Sequence, residues 1–362
     1  MINLRLLFLL ASIGSAAIIA ATPSCTFAQP KAAARALAVI KGDRGNYARI
    51  DADSNGLRDD PKAQRLDRVK KEDEQRVAKM LRDKRLFPFG QRRIVAYAGM
   101  RYNALGKPRI KEMISRLEDL GVNCYSYLIE AHSKEDLSAL PHFCDLASKA
   151  GIEVWVVLVP PTEEPKLPRG GQDGIRYPPY GLNYVEWAKD ISAISKKHPN
   201  LTMLMIDDFL YNVNLFTPEY VRRMYKALKQ ENRKFLLGLT IYEDQLARKK
   251  EIDSYKPYIG AVEWGYQHKA LLSPNYGISA KSLPVEIKEF GTTFPNSVLI
   301  PCLYFTPHSS WSRKATVPYL KEAMTLAYQD AGVALIFRTP VRGTVNYDLV
   351  KIFCRDCRKS YK

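Results

Sequence analysis

Met203-Leu204-Met205-Ile206-Asp207-Asp208-Phe209 sets an apolar run directly against two adjacent acids. The run over 201–206 is short, apolar on successive positions and closed by charge. That is the pattern of a strand buried on both faces. Working outward, the same kind of run recurs. Towards the N-terminus it appears at 152–159, closed by Pro160-Pro161, at 122–129 and at 94–99. Towards the C-terminus it appears at 235–242, 259–264, 298–305 and 333–337. Amphipathic segments near 110–120, 133–150, 183–197, 217–230, 243–254, 283–293, 316–331 and 344–357 separate or follow these runs. Gly121 and Gly151 stop two of the segments, as helix C-termini require. Thr217-Pro218-Glu219 opens a third, with an N-cap hydroxyl, proline at the first helical position and an acid in the first turn.

Strand-like runs alternating with helical segments predict a parallel sheet covered by helices, the α/β class. Eight such units predict closure into a single (β/α)8 TIM barrel over 91–362 with an N-terminal extension. An open doubly wound sheet is the alternative, and no G-x-G-x-x-G follows the first run to support it.

The segment before the barrel reads differently. Met1 to Arg5 is a short positive start, followed by a mostly apolar stretch and a small-x-small site at Thr26-Phe27-Ala28. This predicts a signal peptide over 1–28 and a secreted or periplasmic protein. The apolar stretch is short for a membrane span, and no later one replaces it, so no span is expected after export. Residues 29–90 are polar and read as a partly flexible extension. Within it, Asp51, Asp53 and Asn55 offer oxygens at positions 1, 3 and 5 of a loop, Gly56 stands at 6 and Asp59 at 9. That spacing suits a calcium loop, although position 12 is Lys62 where a bidentate acid belongs. An acidic linker turn is the plainer reading. The string resembles the calcium repeats of thrombospondin type 3 and dockerin modules.

The chain carries a formal charge of +17, and export removes only Arg5 of its charged residues. Such a surface attracts polyanions. The basic residues are scattered over helices and accompany no nucleic-acid motif, so no nucleic-acid partner is expected. A carbohydrate partner, an acidic glycan among the candidates, remains beside the plain reading of a solvated basic surface. The chain has 21 Tyr, which suits a sugar cleft and an ordinary large core alike. Cys354-x-x-Cys357 stands alone, which favours a tail disulfide or free thiols over zinc. Cys124 and Cys302 fall in strand runs and read as small apolar packers.

Barrels of this kind carry their chemistry at the carboxyl ends of the strands. Those positions hold Tyr97 and Arg101 after the first strand, then Tyr127, Glu130 and His132 after the second. Glu163 and Glu164 follow the third and Asp207 and Asp208 the fourth. Tyr242 and Glu243 follow the fifth, and Glu263, Trp264, Tyr266 and His268 the sixth. Tyr304, His308 and Trp311 follow the seventh, and Arg338 the eighth. The opposite ends look plain by comparison. Strand alternation puts Asp207 on the face of Met203 and Met205. Two crowded carboxylates raise one another's proton affinity, and glycoside cleavage needs one acid protonated and one carboxylate charged. Asp207, Asp208 and Glu263 are the expected catalytic residues. Tyr97, Arg101, Tyr127, Glu130, Tyr242, Trp264, Tyr304, His308, Trp311 and Arg338 are the expected substrate contacts. A structural reading makes one of the paired acids a helix cap and pairs Glu263 with Arg338 or Arg101. The scattered histidines lack ligand spacing, so no cofactor is expected for catalysis. Calcium at 51–60 is the one candidate ion.

Ile206-Asp207-Asp208-Phe209 at a fourth strand resembles the Asp-Asp pair of O-GlcNAcase-type glycoside hydrolases and, more loosely, the acid pairs of chitinase and hexosaminidase barrels. The resemblance implies substrate-assisted cleavage, with Asp207 orienting the acetamido group and Asp208 protonating the glycosidic oxygen. It also implies cleft aromatics at Tyr242 and Trp264. At the seventh strand, where those enzymes place an Asn or Asp, this chain has Leu303-Tyr304-Phe305-Thr306-Pro307. The expected function is a secreted glycoside hydrolase acting on a polysaccharide or glycoconjugate, with N-acetylhexosamine-containing ones among the candidates. A non-catalytic carbohydrate-binding barrel of the cell envelope is the alternative.

Overall fold

In the computed structural model, residues 92–130, 132–161, 178–268, 276–307 and 314–360 are described. The expected signal peptide, the extension and the calcium-like loop lie outside them. Eight parallel strands close in chain order into a barrel. They are β1 (Arg93–Tyr97), β2 (Cys124–Ile129), β3 (Glu153–Leu158), β4 (Leu201–Ile206), β5 (Leu236–Thr240), β6 (Ala261–Gly265), β7 (Val298–Tyr304) and β8 (Val333–Phe337). Closure is direct: Tyr97 of β1 stands beside Phe337 of β8. The chain is a (β/α)8 barrel.

Helices α1 (Ile110–Leu120), α2 (Ser133–Lys149), α3 (Tyr184–Lys197) and α4 (Pro218–Glu231) wrap the first half. The second half carries α5 (Lys249–Tyr255), α6 (Leu283–Thr293), α7 (Val317–Leu326) and α8 (Val345–Ser360). The capping residues act as their types predict. The Thr217 side chain accepts from the Tyr220 N–H at the start of α4. Gly121 ends α1 at φ 78°, a conformation that favours glycine. The amphipathic stretch expected at 243–254 is divided. A tight turn over Glu243–Ala247 precedes the short α5, because Gln245 caps the Tyr242 N–H and closes a separate first turn. No helix of the described residues is long and apolar enough to cross a membrane.

Alternation along the strands makes two cores. Ile94, Tyr125, Val156, Leu204, Ile206 and Val262 face outward into the layer beneath the helices. Val95, Trp155, Val157, Met203, Met205, Ile300 and Leu335 fill the barrel interior. Gly238 on β5 leaves the space that Met203 and Met205 occupy, since a Cβ there would collide with the Met205 sulfur. The two methionines then fill the irregular gap with flexible, polarisable side chains.

The amino end of the barrel is not plain. Arg93, 3% exposed, places Nε 2.6 Å from Glu153 Oε2. The other Glu153 oxygen accepts from Trp155 Nε1 at 2.9 Å and Thr202 Oγ1 at 2.5 Å. Thr202 lies where the β3–β4 register shifts, which frees its hydroxyl to reach this group. Among the described residues no disulfide joins the cysteines.

Candidate active site

The carboxyl end of the barrel is built on Asp207. It continues the inward face of Met203 and Met205, as alternation requires, and remains half-buried. Tyr97 from β1 donates its hydroxyl to Asp207 Oδ2 at 3.4 Å. The Asp208 N–H donates to Asp207 Oδ1 at 2.9 Å, and the Thr240 side chain adds a further bond. Burial, and then the neighbouring Asp208, raise the Asp207 pKa to about 6. Hydrogen bonds to the carboxylate limit that rise.

Asp208 would point away from the interior in a regular strand. Its backbone instead turns into the left-handed region at φ 42° and opens a one-turn 3-10 helix, Phe209–Asn212. Aspartate adopts this conformation more readily than most residues. The turn brings the carboxylate under Tyr242, whose hydroxyl donates to Asp208 Oδ1 at 2.6 Å. Among the described residues, three non-glycine residues have positive φ: Asp208, Gln267 at 55° and Arg338 at 50°. They follow β4, β6 and β8, so all three mark the same end of the barrel. Backbone strain of this kind collects at functional sites.

Glu263 on β6 is 4% exposed. Burial, and then the Asp207 charge, push its pKa up to about 8, and a hydrogen bond from the Cys302 thiol moderates the shift. It is therefore a neutral acid near pH 7. It pairs with neither Arg101, which bonds Glu112 at 2.9 Å, nor Arg338, which bonds the Pro307 carbonyl at 3.3 Å and lies over the Phe337 ring. Among the described residues no Lys or Arg forms an ion pair with Asp207, Asp208 or Glu263. No cluster of three metal-ligating side chains occurs among them either.

Aromatic groups close the rim. His268 packs against Tyr242 with ring centres 4.5 Å apart and the rings tilted by 39°. Its Nδ1 shares a 2.6 Å hydrogen bond with the Tyr304 hydroxyl, and burial lowers its pKa. Phe337 packs edge-on between Tyr97 and Tyr304, at 5.2 and 5.3 Å. Gly265 makes the space, because a Cβ there would collide with the Tyr304 hydroxyl. The structure thus gathers Tyr97, Asp207, Asp208, Tyr242, Glu263 and Tyr304 at one end.

Two expected substrate contacts need correction. Tyr127 and Trp264 are both fully buried behind the sheet. Tyr127 donates to the Asp136 carbonyl and packs on Phe143. Trp264 donates to Glu286 and stacks on Phe290 with centroids 4.2 Å apart. Each neighbours an inward-facing strand residue, so each points the other way. Glu130 is half-buried, and its N–H serves as a hydrogen-bond donor to Asp136. His132 packs against Tyr102 with the rings tilted by 38°. Glu163, Glu164, His308 and Trp311 lie outside the described residues. His268, expected at the end of the sixth strand, belongs to the gathered group, and so do Phe337, Thr240 and Cys302, which were not singled out. The signal for Thr240 and Cys302 was strand parity with Gly238 and Ile300.

No protein-family model matches the chain, and no curated protein matches it in sequence. Its fold is similar to solved structures. An endo-α-mannosidase of family GH99 from Bacteroides thetaiotaomicron aligns at 12% identity and TM-score 0.50, over 74% of this chain and 98% of that one. A β-glucuronidase from an uncultured Clostridium sp. aligns at 11% identity and TM-score 0.50, over 74% of this chain but 50% of the enzyme. The glycoside hydrolase domain of PgaB (BpsB) from Bordetella bronchiseptica aligns at 10% identity and TM-score 0.46, covering 74% and 98%. At these identities the likeness is one of fold, shared with barrels that are glycoside hydrolases.

Proposed function

We propose that the protein is an exported glycoside hydrolase that cleaves a polysaccharide or glycoconjugate by carboxylate acid/base chemistry at Asp207 and Asp208. The observation that carries this reading is the division between two adjacent acids. Asp207 is crowded and desolvated, with its pKa raised to about 6. Asp208, one residue on, is brought to the barrel end by its left-handed backbone and fixed by the Tyr242 hydroxyl. Adjacent carboxylates held in different environments can divide the work of glycoside cleavage, one giving a proton to the leaving oxygen and the other facing the sugar.

The environments argue for Asp207 as the proton donor to the leaving oxygen. Asp208 then faces the positive charge that develops on the sugar, either directly or through a substrate acetamido group. This reverses the roles that the O-GlcNAcase-type resemblance implies. Glu263 is too enclosed to touch a sugar. As a neutral acid below Asp207 it keeps a second negative charge out of the barrel end. Tyr97 and Tyr242 hold the two carboxylates in place.

The test is hydrolysis of a panel of aryl glycosides and oligosaccharides, N-acetylhexosaminides and uronides included, by the protein and by Asp207→Asn and Asp208→Asn. Release of sugar by the protein and its loss in both variants is the expected result. No turnover on any member, with glycan binding intact in all three proteins, overturns the hydrolase reading in favour of a non-catalytic carbohydrate-binding barrel.

A further inference from the structure

A cavity of about 290 Å³ opens beside the barrel end, between the loop that follows β1 and the loop that follows β8. Four guanidinium groups line it, from Arg101, Arg109, Arg116 and Arg342, against a single carboxylate, Glu112. So many like charges around one cavity repel one another unless an anion joins them.

The loop geometry holds this arrangement open. Arg101 and Arg109 stand opposite each other in a short hairpin-like loop, where the Arg109 N–H donates to the Arg101 carbonyl at 2.7 Å. Tyr102 and Pro108 bridge the same loop. The Asn103 side chain accepts from the N–H groups of Leu105 and Lys107. Arg109 is also the N-cap of α1, and no side chain caps that helix start. The first-turn N–H groups of α1 add positive potential beside the guanidiniums.

Each arginine has partners, and these leave cationic character over. Arg101 and Arg109 share Glu112, at 2.9 and 3.3 Å. Arg116 is held by the Thr339 and Pro340 carbonyls, both at 2.7 Å, which are neutral groups. Arg342 lies 3.2 Å from Asp119, but Asp119 also serves Lys351 at 2.7 Å and the Tyr347 hydroxyl at 2.6 Å. The cavity is also linked to the acids. Arg116 binds the Thr339 carbonyl, the Thr339 N–H donates to the Tyr97 carbonyl at 3.0 Å, and the Tyr97 hydroxyl reaches Asp207.

We propose that this arginine-lined cavity is a subsite for a carboxylate or sulfate group carried on a glycan, and that the protein's substrates are acidic polysaccharides. This rests on the carbohydrate reading of the barrel end. Guanidiniums match oxyanions by paired N–H donors, and a neutral sugar gains nothing comparable from them.

The experiment is calorimetric titration of the full chain at low salt. The probes are an oligogalacturonate, a sulfated galactan oligosaccharide, a neutral cello-oligosaccharide of equal length and inorganic sulfate. The variants are Arg101→Ala/Arg342→Ala and, as a control of equal charge loss, Lys249→Ala/Lys250→Ala on exposed positions of α5. Arg101 and Arg342 are 57% and 65% exposed, so truncating them opens no core. The expected result is at least tenfold tighter binding of one acidic oligosaccharide than of the neutral one. That preference is lost in the arginine variant, retained in the lysine variant and weakened by salt. Whether the uronate or the sulfated probe responds names the anion. Equal binding of acidic and neutral probes overturns the proposal, as does a preference that survives the arginine variant. Inorganic sulfate binding without any glycan preference also overturns it. Acidic preference without turnover on any uronide or sulfated substrate would keep this subsite and sink the hydrolase reading. Turnover confined to neutral glycans would do the opposite.

Discussion

The barrel buries acids at both ends and treats them oppositely. At the amino end, Glu153 meets Arg93 at 2.6 Å and fills its other oxygen with Trp155 and Thr202. At the carboxyl end, Asp207 and Glu263 meet only hydroxyls, a thiol and an N–H among the described residues. Both places hold partly or fully buried carboxylates, so the contrast lies in the counter-charge. A buried carboxylate given a cation and a full set of donors is a structural plug. A buried carboxylate given only weak neutral donors holds its proton to higher pH, and a proton held that far up is what acid catalysis uses.

The contrast is broken most sharply at Asp207. Asp207→Asn keeps the shape and removes the titrating group. We expect kcat/KM on the responding substrate to fall by about 10²–10⁴-fold, the usual worth of a positioned proton donor. Thermal stability should hold or rise. In the unmodified protein, kcat/KM should decline as pH rises through about 6. A decline on the acid side instead would return Asp207 to the orienting role.

The opposite end should respond in the opposite currency. Arg93→Met leaves Glu153 buried without its cation, at a cost of about 3–5 kcal/mol in urea unfolding. Arg93→Met/Glu153→Leu removes both charges and should recover much of that loss. Per-molecule turnover should change little in either variant. A stable Arg93→Met protein that lost activity would dissolve the distinction between the two ends.

Much of this was legible in the chain, and the losses have physical causes. Period and spacing located every strand, since a strand buried on both faces reads as one apolar run. Alternation correctly aligned Asp207 with Met203 and Met205. It also held the information that Trp264 must face away from Glu263, and the expectation of a cleft Trp264 overlooked it. Asp208 was legible as an acid of the barrel mouth, but its left-handed turn was not, because the residue also fits extended backbone. The Arg93–Glu153 plug was invisible for another reason. Its members open two strands 60 residues apart and meet only when the barrel closes.

Glu263 offers a smaller effect that both ends can be compared on. Folded, it keeps its proton to about pH 8, whereas an ordinary glutamate loses it near 4.5. Between those values the unfolded chain binds fewer protons, so stability falls as pH rises. One such group gives a slope of about 1.4 kcal/mol per pH unit, flat below 4.5 and above about 8. Asp207 adds a similar slope over its lower window, from 3.8 to about 6. Glu263→Gln cannot ionise and should remove the slope between pH 6 and 8, measured by urea midpoints. Parallel profiles for the two proteins would mean that Glu263 has found a charge partner.

The smallest expected effect tests the rim rather than the acids. Gly265 owes its place to the Tyr304 ring, whose hydroxyl holds His268. Gly265→Ala forces that ring aside, an overpacking that costs about 1–3 kcal/mol. If Tyr304 orders the rim through His268 and Tyr242, then KM should rise more than kcat falls. Asp208 keeps its own bond from Tyr242, so the chemistry is left largely in place. Tyr304→Phe removes the colliding oxygen, so Gly265→Ala/Tyr304→Phe should regain most of the stability without regaining KM. Recovery of both together would reduce Tyr304 to a packing residue. The carboxyl end would then depend on its acids alone, as the amino end depends on its ion pair.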